Sequence, residues 1–281
     1  MITNRLAFTL ARAATSIVVA WSMFAAGHST LAATITDNFN SSHDYSSKNV
    51  AGTIWSGVLY NDGTAATQNT TVGAANANTT TAGKLTFKTT NGSWESGIDD
   101  DGILLFRNVS GDFTATVQFD GFTNVGFNTM GIMARNSDAV SNGEDWIGAQ
   151  VFNQFGVGKS IRNVNNGVSV TTPTGSNAAS GWLRLERIGN NFKGYYSPDN
   201  ITYTQIGALT YARADLPPML QVGLYQATFS GNEGTVTFDN FSLDFTEVVA
   251  EPVPEPSTLV LLSLCGVGLV GYGLRKKFRR V

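Results

Sequence analysis

The carboxylates of this 281-residue chain are the first place to look for chemistry. Retaining hydrolysis of a glycosidic bond needs two carboxyl groups about 5–5.5 Å apart. On a β-strand that calls for acidic residues at i and i+2 or i and i+4, whose side chains share a face. The stretch FDNFSLDF (Phe238–Phe245) holds Asp239 and Asp244 five apart, which a regular strand puts on opposite faces. Glu186 stands between Arg184 and Arg187, the setting of a surface ion pair rather than of a tuned acid. Serine triads and zinc sites need histidine. His28 and His43 are the only two in the chain, and a lone His43 in the domain cannot build the usual ones. There is no phosphate-binding loop and no dinucleotide fingerprint. The expectation is a domain that is not an enzyme.

Two other groups could hold a ligand. GIDDDGILLF (Gly97–Phe106) is the densest acidic cluster, and Asp99, Asp100 and Asp101 offer oxygen ligands to Ca²⁺. The run lacks the alternation of an EF-hand loop, and a solvated acidic turn is the competing reading. Sugar recognition needs an aromatic platform beside carboxylates or amides. Trp94 lies next to Glu95, and Trp146 follows Glu144 and Asp145, so Trp94, Trp146 and Asp145 are the candidate glycan contacts. Core packing competes for the same indoles. Trp182 opens an alternating run and is expected in the core. The Asn-x-Ser/Thr triplets at Asn69 and Asn78 are what chance gives in so Asn- and Thr-rich a chain.

The elements that must position these residues read as strands. KLTFKTT (Lys84–Thr90), DFTATVQFDGF (Asp112–Phe122), WLRLERIG (Trp182–Gly189), FKGYYS (Phe192–Ser197) and TVTFDNFSLDF (Thr235–Phe245) alternate apolar and polar residues. A period of two marks half-buried strands. TMGIMAR and WIGAQVF add apolar runs, and no 3.6-residue period lies between Thr34 and Glu247. Many short strands with Gly/Asn turns predict an all-β, two-sheet antiparallel jelly-roll sandwich. Asn61–Gly83 and Pro173–Gly181 hold few large apolar residues and are expected as loops. From Thr34 to Phe245 there are 11 Lys+Arg against 18 Asp+Glu, a balance of −7 that argues against nucleic acid as a partner. The only cysteine is Cys265, so the domain stands without disulfides.

Both ends read as addresses. Arg5 and Arg12, the apolar run Ala13–Gly27 and the small residues after it have the order of a secretory signal peptide, residues 1–33. Cleavage after Ala32 or Ala33 fits. The domain then runs 34–246, followed by a Pro/Glu linker over 247–258. Residues 259–274 carry no charge and span about 24 Å as a transmembrane helix at about 1.5 Å per residue. The tail, 275–281, is basic, which places it in the cytoplasm and the domain outside.

Pro254-Glu255-Pro256, the short apolar helix and the cluster Arg275, Lys276, Lys277, Arg279 and Arg280 resemble the PEP-CTERM sorting signal of Gram-negative bacteria. That resemblance implies transient anchoring in the inner membrane, processing by an exosortase, and release to the cell surface or beyond. It also implies a host that makes exopolysaccharide. WLRLERIGNNFKGYYSPDNITYTQIG (Trp182–Gly207) is similar to the concanavalin A-like lectin/glucanase superfamily, especially its DUF1349- and LamG-like sandwiches. The opening DNF (Asp37–Phe39) and closing FDNFSL (Phe238–Leu243) fit a fold whose first and last strands pair. The chain departs from the family's Ser-x-Asp-Gly turn followed by Trp: Asn200 and Tyr203 stand there. Asn tolerates the left-handed turn. The resemblances together imply an exported carbohydrate-binding or structural module, with a glycoside hydrolase or lyase and a protein–protein adhesion module as alternatives.

Overall fold

Alternating runs such as WLRLERI can bury one face only by stacking against a second sheet. A computed structural model describes residues 29–61, 70–94, 102–137, 144–154, 157–174, 178–208 and 210–249. The tail from residue 250, residues 1–28 and the Asp99–Asp101 run lie outside the described residues. The strands are β1 (Ser29–Asp37), β2 (His43–Asp44), β3 (Gly57–Leu59), β4 (Thr71–Ala77), β5 (Leu85–Thr90) and β6 (Ile103–Ser110). There follow β7 (Phe113–Asp120), β8 (Asn128–Arg135), β9 (Trp146–Gln154), β10 (Val157–Asn165), β11 (Val168–Thr174) and β12 (Gly181–Ile188). The last are β13 (Asn191–Ser197), β14 (Thr204–Gln205), β15 (Tyr211–Ala212), β16 (Met219–Thr228) and β17 (Gly234–Val249).

One sheet has ten strands in the order β14-β13-β12-β7-β17-β5-β4-β2, with β1 on β17 and β15 on β13. The other has seven, in the order β11-β10-β9-β8-β16-β6-β3. Neighbours across the two central ladders, such as β12–β7 and β16–β8, are antiparallel. The first strand does pair with the last. Among the described residues no helix is long and apolar enough to cross a membrane.

The core lies between the sheets. Ala115, Val117 and Phe119 of β7, Leu183 and Leu185 of β12, and Phe238 of β17 meet Leu105, Ile132, Ile147 and Leu224 of the other sheet. All are fully buried. A large apolar side chain taken out of water stabilises the fold by about 1.5–3 kcal/mol. Trp55 packs here against Phe241 at 4.8 Å between ring centroids.

Three expectations need correction. The segment Asn61–Gly83 is not all loop, because β4 occupies Thr71–Ala77. Its buried residues, Ala74, Ala75 and Ala77, are too small to announce a strand by hydropathy. The segment Pro173–Gly181 likewise begins inside β11. Asp239 and Asp244 share a face rather than opposing one another. A bulge between Asp239 and Ser242 pairs Asp239 with Gln118 and Asp244 with Thr114, four residues apart on β7. Asn240 takes the extra position at φ 49, the left-handed geometry such bulges use. Along β7 the separation is roughly 13 Å at about 3.3 Å per residue, too far for either glycosidase geometry.

Candidate binding site

The outer face of the seven-stranded sheet gathers the residues singled out as glycan contacts. Trp94 and Trp146 belong to one cluster with Leu104, Phe106, Met133 and Tyr225. Trp146 meets the Tyr225 ring edge-on at 5.6 Å between centroids. The structure thus brings the two indoles to the same face, but inside it: each is 1% exposed. That corrects the expectation of a wet groove, because their ring faces are consumed by packing. Both indole nitrogens are buried without a hydrogen-bond partner, a cost of about 1–3 kcal/mol each.

The carboxylates here are also engaged. Glu144 takes a bidentate pair from Arg135, Nε to Oε2 at 2.6 Å and Nη2 to Oε1 at 2.7 Å, with both side chains 4% exposed. Arg135 Nη1 donates to Gln221 Oε1 at 2.8 Å. Asp145 accepts from the Asn166 amide at 2.7 Å and lies 3.5 Å from Arg213 Nη2. Behind them Tyr225 and Ser160 bind the Gln150 side chain. Sequence reasoning missed Arg135, Gln150, Gln221 and Tyr225, since each lies in a strand buried on both faces. Among the described residues the one buried carboxylate of this face is Glu144, and Arg135 ties it as a structural anion. Among the described residues no group of three His, Cys, Asp or Glu could hold a metal ion, and the Asp99–Asp101 expectation falls outside them.

The ten-stranded sheet presents the opposite picture. Leu183 and Leu185 point into the core, so Trp182, Arg184 and Glu186 face out. Trp182 is only half-buried, contrary to its expected place in the core. Its cross-strand neighbours are Gln118 and Ser197. Beside Gln118, Asn240 donates to its Oε1 at 2.9 Å. One step along β12, the Arg184 guanidinium lies 3.6 Å over the Tyr203 ring. Arg184 reaches Glu186 at 3.9 Å, as the sequence suggested, whereas Arg187 turns away to the Pro217 and Pro218 carbonyls. Tyr195 donates to Glu186, and burial with that carboxylate raises its pKa. Burial likewise raises that of Tyr203, against the pull of Arg184.

The SPDN turn holds this row in place. Asn200 sits at φ 63, the left-handed position where the family pattern has glycine. Asp199 accepts the Ile201 and Thr202 amides, which hold its pKa below the usual carboxylate value. Tyr203, in the place of the family's Trp, supplies the ring under Arg184. Neighbouring strands are about 4.8 Å apart, so Trp182, Gln118 and the Arg184–Tyr203 stack form a flat strip of aromatic, amide and guanidinium groups.

Two stacked antiparallel sheets without a helix among the described residues define a jelly-roll β-sandwich of the concanavalin A-like kind. The chain belongs to the family described as "Protein of unknown function (DUF1349)", whose model matches residues 64–245. The PEP-CTERM protein-sorting motif matches residues 252–280. Such a motif implies export and a membrane-anchored stage before exosortase processing. The fold is similar to that of the GH43 protein BlXynB from Bacillus licheniformis, at TM-score 0.53 and 15% identity. That match covers 76% of this chain but only 39% of the other. A functionally unknown protein from Saccharomyces cerevisiae is similar at TM-score 0.49 and 23% identity, over 61% of this chain and 90% of that one. The carbohydrate binding module CBM66 from Bacillus subtilis matches at TM-score 0.37 and 18% identity, over 56% and 85%. Comparison with curated proteins finds no match.

Proposed function

We propose that this is an exported, exosortase-sorted protein of the cell surface or extracellular matrix, whose sandwich binds or organises polysaccharide without cleaving it. The sorting motif supports the address. The observation that carries the binding is the outward strip of Trp182, Gln118, Asn240 and Arg184 on Tyr203. A half-buried, outward-facing indole beside amides is the chemistry a sugar ring takes, with its C–H face on the ring and its hydroxyls on the amides. What supports the reading without cleavage, among the described residues, is that Arg135 pairs Glu144 and that Asp239 and Asp244 stand too far apart.

The test is affinity electrophoresis of the full chain, solubilised in detergent, through gels holding the host's exopolysaccharide or plain glycans. Retardation is expected on at least one glycan. Trp182→Ala weakens it roughly 2- to 12-fold, the value of about 0.5–1.5 kcal/mol for an aromatic contact. Release of reducing sugar during the run would instead establish a glycosidase, the reading that the BlXynB likeness raises. Retention that survives removal of polysaccharide would point to a protein partner.

A further inference from the structure

A polar cavity is lined by residues of β1, β2 and β4 of the ten-stranded sheet and by the loops after β1 and before β3. It is a pocket of about 370 Å³, within the range of about 300–1,000 Å³ typical of small-molecule sites. Its polar lining comes from Thr36, Asp37, Ser41, Ser42 and Thr53, and its apolar lining from Ile54 and Ala77. Tyr45, 1% exposed, closes the floor, and the His43 ring leans on it at 4.5 Å between centroids. All these residues except Ala77 precede residue 64, where the family match begins.

The donors and acceptors are arranged in advance. Asp37 Oδ1 takes the Phe39 amide at 2.8 Å, and Oδ2 takes the Trp55 indole N–H at 3.0 Å. Each carboxylate oxygen therefore has one fixed partner and lone pairs to spare. His43 Nε2 donates to the Asn49 carbonyl at 2.8 Å, which fixes the ring at the pocket wall. Phe39 is held at φ 51, costly for a bulky side chain. Its ring lies parallel to Trp55 at 6.4 Å, and Trp55 in turn binds Asp37. Strain of this kind persists where surrounding contacts over-determine it, and here it fixes the carboxylate. On the opposite lip, Gly52 at φ 79 has nothing within 4 Å of the place a Cβ would take, which keeps the mouth low.

We propose that this pocket binds one neutral, hydroxyl-rich pyranose unit, the end residue of a polysaccharide chain. A vicinal diol donates to the two oxygens of Asp37, the serine and threonine hydroxyls complete the ring of contacts, and Ile54 and Ala77 take the C–H surface. The Asp37 charge, with Asp44 close by in sequence, disfavours a uronic acid. The inference rests on the polysaccharide reading above but places recognition at a separate site.

The probe is saturation-transfer NMR on the full chain in a detergent without a sugar headgroup. The ligands are the methyl glycosides of glucose, galactose and mannose, with methyl glucuronide for contrast. At least one neutral glycoside is expected to receive saturation, and the glucuronide markedly less. Ser41→Phe, at an exposed position, fills the pocket and abolishes the signal at an unchanged melting temperature. Thr36→Tyr blocks from the strand side should Ser41→Phe disturb folding. Asp37→Asn lowers affinity about tenfold by removing a charge-assisted acceptor. Transfer to no neutral glycoside, transfer that survives both blocking variants, or equal binding of the glucuronide overturns the proposal. Failure here with gel retardation intact sinks the pocket alone. Retardation lost in Trp182→Ala with glycoside binding intact separates the two sites.

Discussion

Replacing Arg135 with alanine destabilises the protein by about 3–5 kcal/mol, the usual cost of breaking a buried ion pair by removing one partner. Both side chains of the Arg135–Glu144 pair are 4% exposed, and the pair is bidentate. Without the guanidinium, the Glu144 carboxylate stays in a dry setting beside Trp94, whose ring lies 5.9 Å from Arg135 Cζ. Gln221 Oε1 loses its donor as well. Glu144→Ala should cost a similar amount, because it strands the cation instead. The double variant Arg135→Met with Glu144→Leu should recover most of the loss, since apolar residues of similar volume often replace a buried pair at little cost. Thermal unfolding measures this directly: about 2–4 °C per kcal/mol puts each single variant roughly 6–20 °C down. A single-variant loss below about 1 kcal/mol would mean that water reaches the pair and the outer face is open after all.

How much of this was legible in the sequence depended on whether a strand is buried on one face or two. β7, β12, β13 and β17 alternate because one side meets the core and the other meets solvent. Their positions were readable from period two alone. β16 and β8 are buried along almost their whole length, so MLQVGLYQAT carries no alternation to read. The same double burial hid the outer-face network. Arg135 and Gln221 look like scattered polar residues until the register pairs them, and so does Gln150 until it falls beside Tyr225 and Ser160. Trp182 failed the other way: an indole at the start of an apolar alternation reads as core, but Leu183 and Leu185 hold the inward positions and parity sends Trp182 out. The Asp239–Asp244 spacing misled because one extra residue at Asn240 reverses parity, and a bulge leaves no mark in composition. The pocket beside His43 was invisible for a different reason. Its parts come from loops and strand ends, whose approach is set by the hydrogen bonds that Asp37 accepts from Phe39 and Trp55 and not by any repeat.

Arg213→Ala is expected to cost about as much as loss of the Arg135 pair, by loosening a loop rather than a strand. Arg213 is 2% exposed and carries no strand of its own into the sheet. Its Nη1 donates to Asn163 Oδ1 at 2.6 Å and to the Val164 carbonyl at 2.9 Å, and lies 3.3 Å from the Trp146 carbonyl. Its Nε and Nη2 hold Asp215 at 3.0 and 2.7 Å. One guanidinium thus ties the turn after β15 to the ends of β9 and β10. Alanine leaves buried carbonyls unsatisfied, at about 1–3 kcal/mol each. Lysine, with a single charged point, cannot restore the fork. The pair also sets a pH dependence. The Arg213 hydrogen bond holds the Asp215 carboxyl below its ordinary 3.8. A carboxyl whose folded pKa is depressed contributes stability that is complete above the unfolded value and is lost as pH falls through the folded one. Melting temperatures should therefore be flat above about pH 5 and fall below about pH 4. Because Asp215 is 43% exposed, its share of that fall is modest. Asp120, lowered by Lys84, titrates in the same window. In Arg213→Ala the acid slope becomes shallower as the whole curve drops. A variant that melts lower with an unchanged acid slope would show that Asp215 does not depend on Arg213 for its charge, and that the guanidinium works through the carbonyls of β9 and β10 alone.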